Sequence, residues 1–121
     1  MAYSKIKVSI FGGSGYGGSE LLRLLLPHPF ADVVLVTANE HAGKRIDDVH
    51  KNLRGFTHLS FASTPDEAAL KELDADAAFF ALPHGQSMKL VPHLTDAVKV
   101  IDLSGDFRLN DKEEFARYYG F

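Results

Sequence analysis

The 121-residue sequence contains no cysteine, which removes disulfides, thiolate metal ligands and thiol catalysis from the chain itself. It holds no apolar run of 18 residues, the length that a membrane-spanning helix requires. There is no basic surplus either. Thirteen Lys plus Arg stand against sixteen Asp plus Glu, a formal charge of −3, whereas nucleic-acid-binding domains carry the opposite balance. Internal repeats, low-complexity tracts and flexible linkers are missing. Met1 to Lys7 leads straight into a strand-like run, without the apolar segment and small-residue cleavage site of a secretory signal, so a cytoplasmic location is expected. What remains is 45% apolar and 24% charged, an ordinary globular composition. At this length one domain with one real core is expected, spanning 1–121.

Short apolar runs alternate with longer amphipathic ones. Lys5 to Phe11 predicts a first strand that stops at a glycine-rich loop, followed by a helix from about Tyr16 to Leu26, closed by Pro27-His28-Pro29. Glu20 is expected in the first helical turn, facing the helix dipole. Val33 to Ala38 is a β-branched-rich run suited to a strand buried on both faces. Asn39 to His58 is polar and weakly patterned, a long loop with one short helix. Leu59 to Ala62 predicts a brief strand. Thr64-Pro65-Asp66-Glu67 has the form of a helix start, with Thr64 as N-cap, Pro65 at the first helical position and Glu67 closing a capping box. Ala77 to Leu82 is a further buried strand, with a helix from about Gln86 to Leu94 that Pro92 kinks. Val98 to Leu103 is the next strand, and Asn110 with Glu113 opens a last helix to about Tyr118. Strands separated by short helical segments mean βαβ units and a doubly wound, mostly parallel α/β sheet.

The loop Gly12-Gly13-Ser14-Gly15-Tyr16-Gly17-Gly18 carries the chemistry. Gly13-x-Gly15-x-x-Gly18 fits the dinucleotide fingerprint, and Gly12-x-x-Gly15-x-x-Gly18 its looser relative. Placed between first strand and first helix, such glycines let backbone N–H groups approach a pyrophosphate at the positive end of the helix. At the end of the second strand, Glu40 favours the free ribose hydroxyl of NAD, whereas Lys44 and Arg45 favour the 2′-phosphate of NADP. All three are equally readable as solvated loop charges.

The glycine loop with Ser19-Glu20-Leu21 resembles the opening of the N-acetyl-γ-glutamyl-phosphate reductases of arginine biosynthesis. So do His28-Pro29, Ala42-Gly43-Lys44, Ala81-Leu82-Pro83-His84-Gly85, the block from Val100 through Ser104 to Arg108, and Tyr118-Tyr119-Gly120. The resemblance covers the front part of such an enzyme. In the family a catalytic domain with a cysteine nucleophile and a histidine follows, and reduces an acyl phosphate to a semialdehyde with NADPH. The resemblance therefore implies a cofactor platform, inactive alone, with NADP as cofactor and NAD not excluded. It places Gly12, Gly13, Ser14, Gly15, Tyr16, Gly17 and Gly18 around the cofactor phosphates. Thr37, Ala38 and Asn39 fall beside the adenosine ribose, and Leu82, Pro83, His84, Gly85 and Ser104 at the nicotinamide end. Relatives often carry serine-arginine where this chain has Ala38-Asn39. In the wider semialdehyde dehydrogenase superfamily an arginine in the place of Arg108 holds the substrate phosphate; a surface salt bridge is the alternative.

The other histidines, His41, His50, His58 and His93, show no metal-ligand spacing and are expected to be solvated or capping. No metal and no catalytic residue is assigned. Asn52-Leu53-Arg54-Gly55 resembles the branch that reduces carrier-protein-linked aminoadipyl phosphate in lysine synthesis. A non-catalytic dinucleotide sensor is a further alternative. A short-chain dehydrogenase would need Tyr-x-x-x-Lys after the loop, and the spacing occurs only at Tyr3 and Lys7, before it. Expected partners are a small-molecule substrate and a second copy of the chain, with neither nucleic acid nor membrane. Self-association is expected through apolar surface from Val33–Ala38 or Ala77–Leu82, unless the last helix folds over it.

Overall fold

Four parallel strands organise the chain in a computed structural model, which describes residues 5–83 and 85–103. β1 (Ile6–Phe11) is central, between β2 (Ala31–Thr37) and β3 (Ala77–Phe80), and β4 (Lys99–Asp102) lies beyond β3. The order is therefore β2-β1-β3-β4, and every pairing is parallel. A parallel neighbour cannot be reached by a tight turn, so each connection crosses a face of the sheet. The helices are α1 (Tyr16–Leu25), α2 (Ile46–Val49), α3 (Glu67–Lys71) and α4 (Ser87–Leu90).

The strands' two-residue alternation divides the core into two layers. Val8 and Ile10 of β1 join Val33 and Val36 of β2, Leu22 of α1, and Ile46, Leu53 and Phe61 from the connection after β2. On the other face Phe11, Ala78 and Phe80 pack with Leu70 of α3 and Val98, and Leu90 and Leu94 close the edge. Phe11 and Phe80 stack with ring centroids 4.7 Å apart and planes 5° from parallel. Helical cover on both faces is the doubly wound arrangement that the alternation of elements predicts.

Several local expectations are corrected. β2 is not buried on both faces throughout: it is the sheet's edge, and Asp32 and Val34 are exposed. The ladder slips between Val8↔Val33 and Ser9↔Leu35, which leaves Val34 as an extra residue. That bulge resets the alternation, so Val33 and Val36, three apart, face the same layer. The strand expected at Leu59–Ala62 is only two isolated bridges, Thr37↔Ala62 and Arg45↔Ser60. The long connection holds α2 between two 3-10 turns, Asn39–His41 and Lys51–Leu53, rather than one helix. Asp66, not Thr64, caps α3: its Oδ1 accepts from Ala69 N at 2.8 Å. Thr64 is held elsewhere, donating through N and Oγ1 to Asn39 Oδ1. Pro92 divides the expected helix into α4 and a 3-10 turn, Val91–His93, because it offers no N–H to continue the α ladder. Glu20 lies beyond the first turn of α1 and pairs with Arg23 at 2.9 Å. The last helix lies outside the described residues.

Candidate functional site

The order β2-β1-β3-β4 reverses direction at β1. Chain leaving β1 goes toward β2 and chain leaving β3 goes the other way, toward β4, so their carboxyl ends flank a crevice where open α/β sheets bind ligands. The glycine loop leaves β1 there, and Ala81 to Gly85 leaves β3 beside it. Ala81 N donates to Phe11 O at 2.9 Å and keeps the two exits adjacent.

Three glycines of the loop are dictated by packing. Gly12 has φ +90°, and a Cβ there would stand 2.7 Å from Ala81 O. One on Gly13 would lie 2.3 Å from Val36 Cγ1, and one on Gly18 would lie 2.5 Å from Gly12 O. Bare backbone here brings α1 hard against the end of β1. Gly15 differs, because a Cβ on it would meet nothing within 4 Å, and Gly17 would make only an ordinary contact with Ala81. Open space at Gly15, beside a helix start that no side chain caps, leaves room for an anion at the positive end of α1. The residues present fit a dinucleotide pyrophosphate. Gly12 and Gly13 are thus both needed at the turn and Gly18 for helix packing, so both readings of the fingerprint have physical roles, with Gly15 common to them. Ser14 is half-buried, while Tyr16 is 95% exposed at the rim.

Thr37 is the strap of this loop. Its carbonyl accepts from Gly12 N at 3.1 Å and Gly13 N at 2.8 Å, and its Oγ1 accepts from Gly12 N at 3.2 Å. It is buried, as is Ala38, so the side chain presented at the strand's end is Asn39, with Oδ1 bonded to Thr64. Arg45 is engaged by Asp47 through two bonds, Nε to Oδ1 at 2.9 Å and Nη2 to Oδ2 at 2.7 Å. This hydrogen bonding and the attendant charge hold the Asp47 carboxyl below its ordinary value, against the cost of its burial. Glu40 and Lys44 are exposed at the same rim.

At the other exit Leu82 is half-buried, Pro83 exposed, and Gly85 has φ +91° with open space at its Cβ position. Ser87, fully buried at the start of α4, donates to Asp102 Oδ1 at 3.4 Å and ties this exit to the end of β4. His84, Ser104 and Arg108 lie outside the described residues. Sequence reading missed His50, whose ring meets the carbonyl of Gly13 at 2.7 Å, and the Ser87–Asp102 link. Neither has a local signature, since each joins segments far apart in sequence. Among the described residues no three His, Asp or Glu groups could hold a metal ion, and no helix is long and apolar enough to cross a membrane.

Fold and site together define a dinucleotide-binding α/β domain. The chain belongs to the family of semialdehyde dehydrogenase NAD-binding domains, whose model matches residues 7–118. It is 50% identical over 116 residues to an N-acetyl-gamma-glutamyl-phosphate reductase of Acidithiobacillus ferrooxidans, covering 95% of this chain and 33% of that one. It is also 50% identical over 115 residues to a protein of Pyrococcus horikoshii assigned as a LysW-L-2-aminoadipate/LysW-L-glutamate phosphate reductase, covering 95% and 32%. The chain thus spans about a third of the length of the curated relatives it matches. A solved aspartate semialdehyde dehydrogenase with NADP from Candida albicans shares the fold, with TM-score 0.57 at 20% identity over 82% of this chain and 29% of that one.

Proposed function

We propose that the chain forms one dinucleotide-binding domain over residues 1–121 and serves as the NADP platform of a cytoplasmic reductase acting on a small acyl phosphate, of the N-acetyl-γ-glutamyl-phosphate type. The observation that carries this reading is the cradle at Gly15, the loop glycine at which an added Cβ would meet no protein atom within 4 Å. Half identity to a reductase so named supports the substrate class. The nicotinamide cofactor, when bound, supplies the hydride. Ser14, Gly15, Tyr16 and Gly17 offer N–H groups to its pyrophosphate, while Thr37 holds the loop and Ala38 and Asn39 border the adenosine ribose. Leu82, Pro83, His84, Gly85 and Ser104 border the nicotinamide end, and Arg108 takes the substrate phosphate. With Arg45 engaged by Asp47, Lys44 is the cation left at the rim for a 2′-phosphate, and Glu40 opposes it. The lysine-branch reading rests on Asn52-Leu53-Arg54-Gly55 and on the equal identity to the Pyrococcus horikoshii protein.

Because the chain has no cysteine, it performs no thioester chemistry alone. Titration calorimetry should show NADPH binding with a preference over NADH, and NADPH mixed with acyl phosphate and the chain should keep its nicotinamide absorbance. Tighter NADH binding that Glu40→Ala abolishes would reverse the cofactor choice. Turnover would overturn the assignment of the chemistry to another segment.

A further inference from the structure

We propose that His50 is a positioning residue for the pyrophosphate loop, acting through the carbonyl of Gly13; this inference rests on the dinucleotide-binding reading above. His50 Nε2 lies 2.7 Å from Gly13 O, across 37 residues of sequence. A carbonyl oxygen only accepts, so Nε2 carries the hydrogen and donates it. The backbone that carries the ring is held at both its N–H and its carbonyl, and the ring itself packs on Phe61. Ile46, buried at the start of α2, accepts at its carbonyl from His50 N at 2.8 Å, and Leu53, buried three residues further on, donates through its N to His50 O at 2.9 Å. Phe61 meets the ring edge-on, with centroids 6.1 Å apart and planes at 76°. Phe61 is also the residue a Cβ on Gly13 would approach to 3.0 Å.

The Gly13 carbonyl and the Ser14 N–H belong to one rigid peptide unit. Fixing the oxygen therefore fixes the direction of the Ser14 N–H, one of the donors assigned to the pyrophosphate. Donation to the oxygen also polarises the unit and strengthens the N–H at its other end. Thr37 holds Gly12 N and Gly13 N from the strand side. His50 supplies the next hold along, at Gly13 O, from the connection that also carries Asn39 and Lys44. A polar side chain directed onto a carbonyl that aims a phosphate donor is unexplained by packing alone, since a phenyl ring would fill the same place against Phe61.

Three variants test this. His50→Phe keeps the ring and removes the donor. His50→Asn stays polar but is too short to reach Gly13 O, and His50→Gln keeps a donor of similar reach. Each is titrated with NADPH, with ADP, which carries the pyrophosphate, and with adenosine 2′-monophosphate, which does not; thermal melts accompany the titrations. One net hydrogen bond corresponds to about fivefold in affinity. The expectation is that His50→Phe and His50→Asn weaken NADPH and ADP by about fivefold and leave adenosine 2′-monophosphate within about twofold. His50→Gln should recover most of the loss, and all melting points should stay within about 3 °C. ADP binding unchanged in His50→Phe and His50→Asn would overturn the proposal. So would an equal loss for adenosine 2′-monophosphate, or no recovery by His50→Gln. If the unaltered chain binds none of NADPH, NADH and ADP, the dinucleotide reading itself fails, which is a different result from a wild-type affinity that the variants do not change.

Discussion

Gly15→Ala and Gly18→Ala make the same chemical change three residues apart and should fail in opposite ways. In Gly18→Ala the added methyl would lie 2.5 Å from Gly12 O and 2.6 Å from Gly13 Cα, both backbone atoms that cannot rotate aside. Overpacking of this kind costs about 1–3 kcal/mol, and contacts this short place it at the upper end. Alanine regains about 1 kcal/mol over glycine within a helix, leaving a net loss of about 2 kcal/mol. With about 2.1 cal/mol/K of unfolding entropy per residue, a chain of this length loses about 4 °C per kcal/mol, so the melting point should fall by about 8 °C. In Gly15→Ala the methyl meets no protein atom within 4 Å, and Gly15 has an ordinary extended backbone of φ −82° and ψ −175°. A few tenths of a kcal/mol lost at the cap is offset by reduced freedom of the unfolded chain, and the melting point should move by less than about 2 °C. On the proposed function its methyl would fill the approach path of the phosphates, and NADPH affinity should then fall by more than about tenfold, or about 1.4 kcal/mol. Thermal melts and NADPH titrations on the two variants make the comparison. A Gly15→Ala chain that binds NADPH within about twofold of the original would refute the cradle, and a Gly18→Ala chain of unchanged stability would refute the packing account.

Three other perturbations have defined outcomes. The Asp47 carboxyl is held below its usual value of 3.8 by Arg45, so its contribution to stability is complete above pH 3.8 and is lost as pH falls through the depressed value. Melts against pH should show Asp47→Asn less stable than the original chain at neutral pH, with the gap closing below pH 3.8; a constant gap would contradict this. Asp66→Ala should cost about 1 kcal/mol, or about 4 °C, by leaving Ala69 N without its cap, and Thr64→Ala should cost less. Light scattering over a concentration series should show association through the β4 edge, where Val100, Ile101 and Leu103 are exposed, and Ile101→Lys should reduce it. A chain that stays monomeric throughout would show this edge to be harmless.

The alternation of apolar runs sufficed for the doubly wound architecture because each central element has a period of its own, as at Val8 and Ile10 or at Ala78 and Phe80. The glycine loop was equally legible, since few sequences except ligand-binding ones tolerate such a density of glycine. Sequence could not separate glycines needed for packing from the one left open, because at Gly12 and Gly13 that distinction lies in Val36, Phe61, Ala81 and Leu82, which reach the loop from other segments, and at Gly18 in a backbone contact that exists only once the turn has folded. The register slip at Val34 was hidden too: a run of Val and Leu carries no mark of which residue is surplus. Uncovered apolar surface was expected on Val33–Ala38 or Ala77–Leu82; the strand portion Ala77–Phe80 is well covered, while Val34 on β2 and Val100 and Ile101 on β4 are exposed, because order in the sheet, not hydrophobicity, decides which strands are outermost among the described residues. Arg45 read as a phosphate ligand by its charge, yet Asp47 two residues away competes for it more directly.

The central place of β1 bears on how the chain is made. Its backbone meets β2 by Thr37 but does not meet β3 until Phe80 exists, 69 residues after Phe11. At ribosomal rates of about 5–20 residues per second, that edge stays open for roughly 3 to 14 s. During this interval Ser9 and Phe11 present their side chains to solvent rather than to Ala77 and Phe80, beside a row of unpaired amides. The nascent chain therefore leaves one edge of its central strand unpaired until β3 has been made. A chaperone that grips short apolar segments has its best opportunity there, before the glycine loop that β1 leads into has acquired the wall that Ala81 and Leu82 provide.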